Sequence, residues 1–178
     1  MLKTLAITAV TVAALVAGVL IYAATRPDSF QLARSITIKA PPEKIFPLIN
    51  DLHAFNRWNP FLKMDPTTKL AYSGPDSGRG AAHEWDGNGQ VGKGRIEITE
   101  SSPASKIVMK LDMITPIEGH NLVLFTLGPK GDATQVTWSM SGQSAYIAKV
   151  IGVVISMDKM VGGEFEKGLA DLKAMAER

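Results

Sequence analysis

The sequence predicts an α+β domain, a curved antiparallel sheet wrapped around a C-terminal helix, with one membrane helix in front of it. Three observations carry that expectation. An uncharged apolar run fills Thr4 to Ala24. From Thr68 to Met140 apolar residues recur with a period of two, broken at close intervals by turn-forming stretches. From Ile147 to Leu172 the period becomes that of a helix.

The apolar run is long enough to make roughly 30 Å of helix, which spans a hydrocarbon core. Thr4, Thr8 and Thr11 are tolerable there because a hydroxyl can bond back to the preceding turn. A cleaved signal peptide is the rival reading, but no clean A-x-A site precedes Arg26. We therefore expect residues 1–26 to be an uncleaved single-pass anchor, 27–33 a linker and 34–178 one domain. A short head before a single span favours an N-in orientation, which puts the domain outside the cytoplasm.

Within the domain, Ile36 and Ile38 in Ser35–Lys39 mark a strand with one buried face. Pro41-Pro42-Glu43 opens a helix carrying Ile45, Ile49 and Leu52, which Pro47 should shorten or kink. A second brief helix, Ala54 to Trp58, stops at Asn59-Pro60. About six strands follow. Their turns are Gly74–Gly78, Gly87–Gly89, Ser101–Pro103 and Gly128–Asp132, and no helical segment separates them, so a parallel βαβ sheet is disfavoured. The last element is one long stripe from Ile147 through Val161 and Phe165 to Leu172, interrupted by Gly152, Gly162 and Gly163. Those glycines could let its first half bend away.

Charge and composition exclude several functions. The chain has 19 basic and 17 acidic residues, and apart from Lys3 and Arg26 the two balance, so no basic patch supports nucleic-acid binding. It has no cysteine, which removes disulfides, thiolate catalysis and cysteine-ligated zinc. His53, His83 and His120 lack H-x-x-x-H or H-E-x-x-H spacing, so no metal and no other cofactor is expected. No G-x-S-x-G is present either, and a hydrolytic triad is disfavoured. Gly87 to Gly94 satisfies G-x-G-x-x-G, but Arg95–Thr99 after it alternates as a strand, not as the helix a phosphate loop requires. We read it as a hairpin with Asn88-Gly89 as the turn pair.

The segments ITIKAPPEKIFPLINDLHAFNRWNP, HEWDGNGQVGKGRIEITE, TQVTWSMSG and MDKMVGGEFEKGLADLKAMAE occur in that order. Together they resemble the polyketide cyclase/dehydrase and lipid-transport branch of the START-like (SRPBCC) superfamily, from about Arg34 to the C-terminus. The resemblance implies a helix-grip fold: about seven strands, two short helices closing one end, and a long helix across the concavity over an apolar cavity. Pro47 and the membrane anchor depart from the usual pattern.

Trp58, Trp85 and Trp138 fall on three separate elements, and Met109, Leu111, Met113, Met140, Met157, Met160 and Phe165 surround them in pattern. Each alone fits plain core packing. As a set they suit the lining of an apolar ligand pocket, with Gly162-Gly163 leaving room beside the helix. His83, Glu84 and Asp86 are the weak candidates for acid/base chemistry, although His83 and Glu84 must point to opposite faces of a strand. The expected function is a membrane-anchored binding module for a lipid or other hydrophobic small molecule. The alternatives are a cyclase/dehydrase-type enzyme acting on a polyketide-like substrate and an interaction domain whose cavity is vestigial. The sequence names no protein partner.

Overall fold

The structure, a computed structural model, describes residues 1–178, apart from the side chains of Leu2 and Met157. Helix α1 (Leu2–Thr25) is long and apolar enough to cross a bilayer. Thr8 and Thr11 donate to the carbonyls of Thr4 (3.0 Å) and Ile7 (2.9 Å), so these two hydroxyls are satisfied within the helix. Ala23 is the buried residue of α1 among those described.

Seven strands follow: β1 (Ser29–Ile38), β2 (Lys69–Ser73), β3 (Ala82–Asp86), β4 (Lys93–Ser102), β5 (Lys106–Thr115), β6 (Gly119–Lys130) and β7 (Ala133–Gln143). They form one antiparallel sheet in the order β1-β7-β6-β5-β4-β3-β2. Every strand pair except β1–β7 is a sequence neighbour, as short turn connections between strands require. β1 begins at Ser29, inside the stretch expected to be linker, because Ser29 to Ala33 pair with Gln143 to Ser139.

Two short helices were expected between β1 and β2, and the structure has α2 (Pro42–Ile45), α3 (Pro47–Asn50), α4 (Leu52–Trp58) and α5 (Pro60–Lys63). Proline explains the division. Pro47 has no N–H to give the Glu43 carbonyl, while Pro42, Pro47 and Pro60 each sit at the start of a new turn. Asp51 caps α4 by accepting from the amides of His53 (2.8 Å) and Ala54 (3.2 Å).

The C-terminal stripe is also divided, into α6 (Tyr146–Val154) and α7 (Met157–Ala176). The glycines do not cause this, since Gly152, Gly162 and Gly163 all lie inside helices. The break is at Ile155, which is extended, and Ser156, whose hydroxyl accepts from the Lys159 amide (3.3 Å). α7 crosses the concave side and packs against β1, α2, α4 and α5. Its Gly162 does not open ligand space, because a Cβ there would overlap the Arg34 guanidinium. Arg34 fills that position and binds Glu166 (2.6 Å) and Asp158 (3.0 Å), fastening β1 to α7.

Gly87 to Gly94 is the β3–β4 hairpin. The residue with positive φ is Gly92 (+69°), not Asn88 or Gly89. Asn88 instead folds the loop through its side chain, accepting from the amides of Gln90 (2.8 Å) and Val91 (3.3 Å). Its own N–H donates to Asp65 (2.8 Å), whose carboxylate is held below its usual pKa first by the Thr67 hydroxyl and then by that amide. These loop amides therefore point at protein acceptors, not at a phosphate.

Candidate ligand site on the concave face

Residues directly opposite in the strand ladder share a face, so the register maps the surface that α7 crosses. One row runs Arg34–Trp138–Phe125–Ile107, and the next Leu32–Met140–Val123–Met109–Ile98. A third runs Phe30–Gly142–Asn121–Leu111–Ile96–His83–Tyr72. The last contains Gly119, Met113, Gly94, Trp85 and Leu70.

The first two rows are closed. Trp138 stacks on Phe165 of α7 with ring centroids 3.9 Å apart, and Trp58 meets Trp138 edge-on at 5.6 Å. Phe55, Phe61 and Phe125 complete the cluster with further edge-on or tilted contacts. Trp58 satisfies its N–H on the Leu48 carbonyl (2.8 Å). Trp138 is 3% exposed, and its indole N–H has no partner among the described residues.

The last two rows are open except at Ile96 and His83, which are buried. Trp85, Leu111, Met113, Phe30 and Asn121 are half-buried, and Leu70 and Tyr72 are exposed. The Trp85 ring lies against Gly94, where a Cβ would come within 2.5 Å of it, and its N–H reaches the Val91 carbonyl (3.3 Å). The result is an apolar trough with one amide, Asn121, on its floor beside Gly142.

The expected pocket residues therefore separate. Trp58, Met109, Trp138, Met140 and Phe165 belong to the closed half, and Trp85, Leu111 and Met113 to the open half. Met160 is 53% exposed on α7, and the Met157 side chain lies outside the description.

His83 is the next-to-last residue of the third row and lies under α4. It is 2% exposed, with Asn56 at 3.5 Å from Nδ1 and the Tyr72 and Trp85 rings 5.5 and 6.0 Å away. Burial, aided by nearby His53, lowers its pKa to about 4, so it is neutral near pH 7. A cleft of about 170 Å³ beside it is lined by His53, Tyr72, Pro75 and Ala81 among others. Glu84 and Asp86 are exposed and are answered by Arg95 (3.9 Å) and Lys93 (2.9 Å). Sharing the opposite face of β3 from His83, they do not converge with it. A larger concavity of about 680 Å³ is simply one apolar side of α1.

A sheet of this order gripping a C-terminal helix can be set against known proteins. The family model for polyketide cyclase/dehydrase and lipid transport matches residues 29–177. The chain belongs to this family. Among solved structures, protein CV1439 from Chromobacterium violaceum is 17% identical with a TM-score of 0.59, covering 86% of this chain and 99% of that one. The Aha1 dimer from Colwellia psychrerythraea is 18% identical (TM-score 0.58; 83% and 96% covered). The major latex-like protein 151 from Panax ginseng is 13% identical (TM-score 0.57; 85% and 100% covered). At such identities these likenesses establish the helix-grip fold alone. Comparison with curated proteins found no match. For this polyketide cyclase/dehydrase and lipid-transport member, sequence reasoning overlooked Phe30, Asn121 and Tyr72. Their faces follow only from strand register, although the alternation in Gly119–Lys130 could have placed Asn121 with Val123 and Phe125.

Proposed function

We propose that the protein is a membrane-anchored binding module that holds a lipid or other hydrophobic small molecule in the open half of the concave face. In this reading residues 1–26 anchor the chain, and the domain stands on the non-cytoplasmic side of the membrane. The observation that carries it is the uncovered apolar trough of Trp85, Leu111 and Met113, bounded by Phe30 and floored by Asn121. Apolar walls with few polar groups suit such ligands.

The test is photo-crosslinking of the full chain, in lipid nanodiscs, with a diazirine fatty acid. Label is expected on the peptides holding Trp85, Leu111 and Met113, displaced by unlabelled fatty acid, and cut about tenfold or more in Leu111→Glu because a charge is placed in the apolar site. Label confined to α1, or unchanged in that variant, would overturn the reading. A cyclase/dehydrase-type reaction is the second reading, favoured only by the buried, neutral His83. It requires His83 to act without Glu84 and Asp86, and an activity that survives His83→Phe would remove it.

A further inference from the structure

We propose that α6 lies flat in the headgroup–acyl boundary of the bilayer that α1 crosses, with Ile147, Ile151 and Val154 in lipid. This rests on the anchoring reading above but goes beyond it, because it assigns a second membrane contact to the domain itself.

α6 is a packing anomaly. It has no buried residue, yet its nine residues carry a single charge, on Lys149. Ile147, Ile151 and Val154 fall on one face at helical spacing and are 53%, 38% and 84% exposed, and the adjoining Ile155 is 47% exposed. An apolar stripe of this kind marks a contact surface.

Its position says what covers it. The opposite face, with Tyr146 and Lys149, docks on the end of α1. The Tyr146 hydroxyl donates to the Leu20 carbonyl (2.9 Å), and Ala23 is fully covered. Leu20 lies six residues before Arg26, so it is about 9 Å deeper along the helix axis. That depth is within the roughly 5–10 Å to which an interfacial helix buries its apolar face. Lys149 is turned inward, 7% exposed, bonding the Arg26 carbonyl (3.1 Å) and the Asp28 carboxylate. The outer face is thereby left without charge, as burial in the acyl boundary requires. Ser156, Asp158 and Lys159 then return the chain to water.

The geometry also relates α6 to the trough. α6 follows directly on β7, and the Ser144 amide donates to the Asp28 carbonyl (2.7 Å) just before β1. The row Phe30–Gly142–Asn121–Leu111 is therefore at the end of the sheet nearest the membrane.

Because the chain lacks cysteine, single cysteines can be labelled with an environment-sensitive fluorophore in the full chain, reconstituted in phosphatidylcholine vesicles. Sites are Ile147→Cys, Ile151→Cys and Val154→Cys on α6, Val12→Cys in α1 and Gln135→Cys on β7. Nitroxide-bearing lipid is expected to quench the three α6 sites several-fold, as it quenches Val12→Cys, and to spare Gln135→Cys. Quenching at Val12→Cys with α6 sites open to aqueous iodide would overturn the placement of α6 and leave the anchor standing. No quenching at Val12→Cys would overturn the anchoring reading and this inference with it. α6 sites shielded from both quenchers would mean that a second copy or another protein covers them, which also overturns it.

Discussion

Single residues set the limits of this site, and His83 is the most informative. Its native pKa of about 4 lies below the unfolded value, so between roughly pH 6.5 and pH 4 the unfolded chain binds the extra proton. The neutral ring's contribution is complete above pH 6.5 and is lost as pH falls toward 4, by roughly 3 kcal/mol at the acid limit. Carboxylates titrate in the same window, so the measurement is a difference. In denaturant melts, the stability of His83→Phe should fall less between pH 7 and pH 4 than that of the natural protein. Parallel curves would show that His83 is not the proton acceptor. Gly168 is a second critical position. A Cβ there would lie 2.8 Å from Pro60 Cδ and 2.9 Å from Trp138 Cζ3, both on rigid rings. Alanine is worth about 1 kcal/mol over glycine inside a helix, yet overpacking costs about 1–3 kcal/mol. Gly168→Ala should therefore lower the thermal midpoint, and a raised midpoint would mean that the aromatic cluster yields.

At the scale of elements, prolines and caps decide where the short helices begin. Asp51 serves two amides at the start of α4, the helix that supplies Phe55 and Trp58 to the aromatic cluster. Asp51→Ala should cost about 1 kcal/mol, read as a shift in the denaturation midpoint without a change in slope. α4 was anticipated from Ala54 to Trp58, and its end at Asn59-Pro60 was legible because proline restricts the residue before it. The break between α6 and α7 was not. The hydrophobic period continues across Ile155 and Ser156, so periodicity alone reads one helix. The separation is enforced by α6 docking on α1 while α7 crosses the sheet, two surfaces that one straight helix cannot reach. The hairpin at Gly87–Gly94 was legible as a hairpin but not in its turn chemistry. Asp65, distant in sequence, takes the Asn88 amide and moves the left-handed residue to Gly92.

For the whole molecule, the closed half of the concave face supplies stability, and the open half is the ligand site in the proposed reading. α1 contributes Ala23 to the buried set, while the aromatic cluster lies entirely beyond residue 54. A chain starting at residue 27 should therefore unfold with a thermal midpoint close to that of the full chain. It should also associate in the absence of detergent, because the face of α6 that α1 covers becomes exposed. A midpoint lowered by tens of degrees would instead make α1 a structural part of the domain.

The sequence by itself determined the element types, the antiparallel character of the sheet, the apolar span and the family. These depend on period, turn residues and local motif, all of which are written along the chain. It did not separate Trp85, Leu111 and Met113 from Trp58, Trp138 and Phe165, since all six have the same apolar character. Only the tertiary structure decided which of them α7 covers. That coverage depends on where Arg34, received at Gly162, fastens α7 to β1, a contact between residues more than a hundred positions apart that no local pattern encodes.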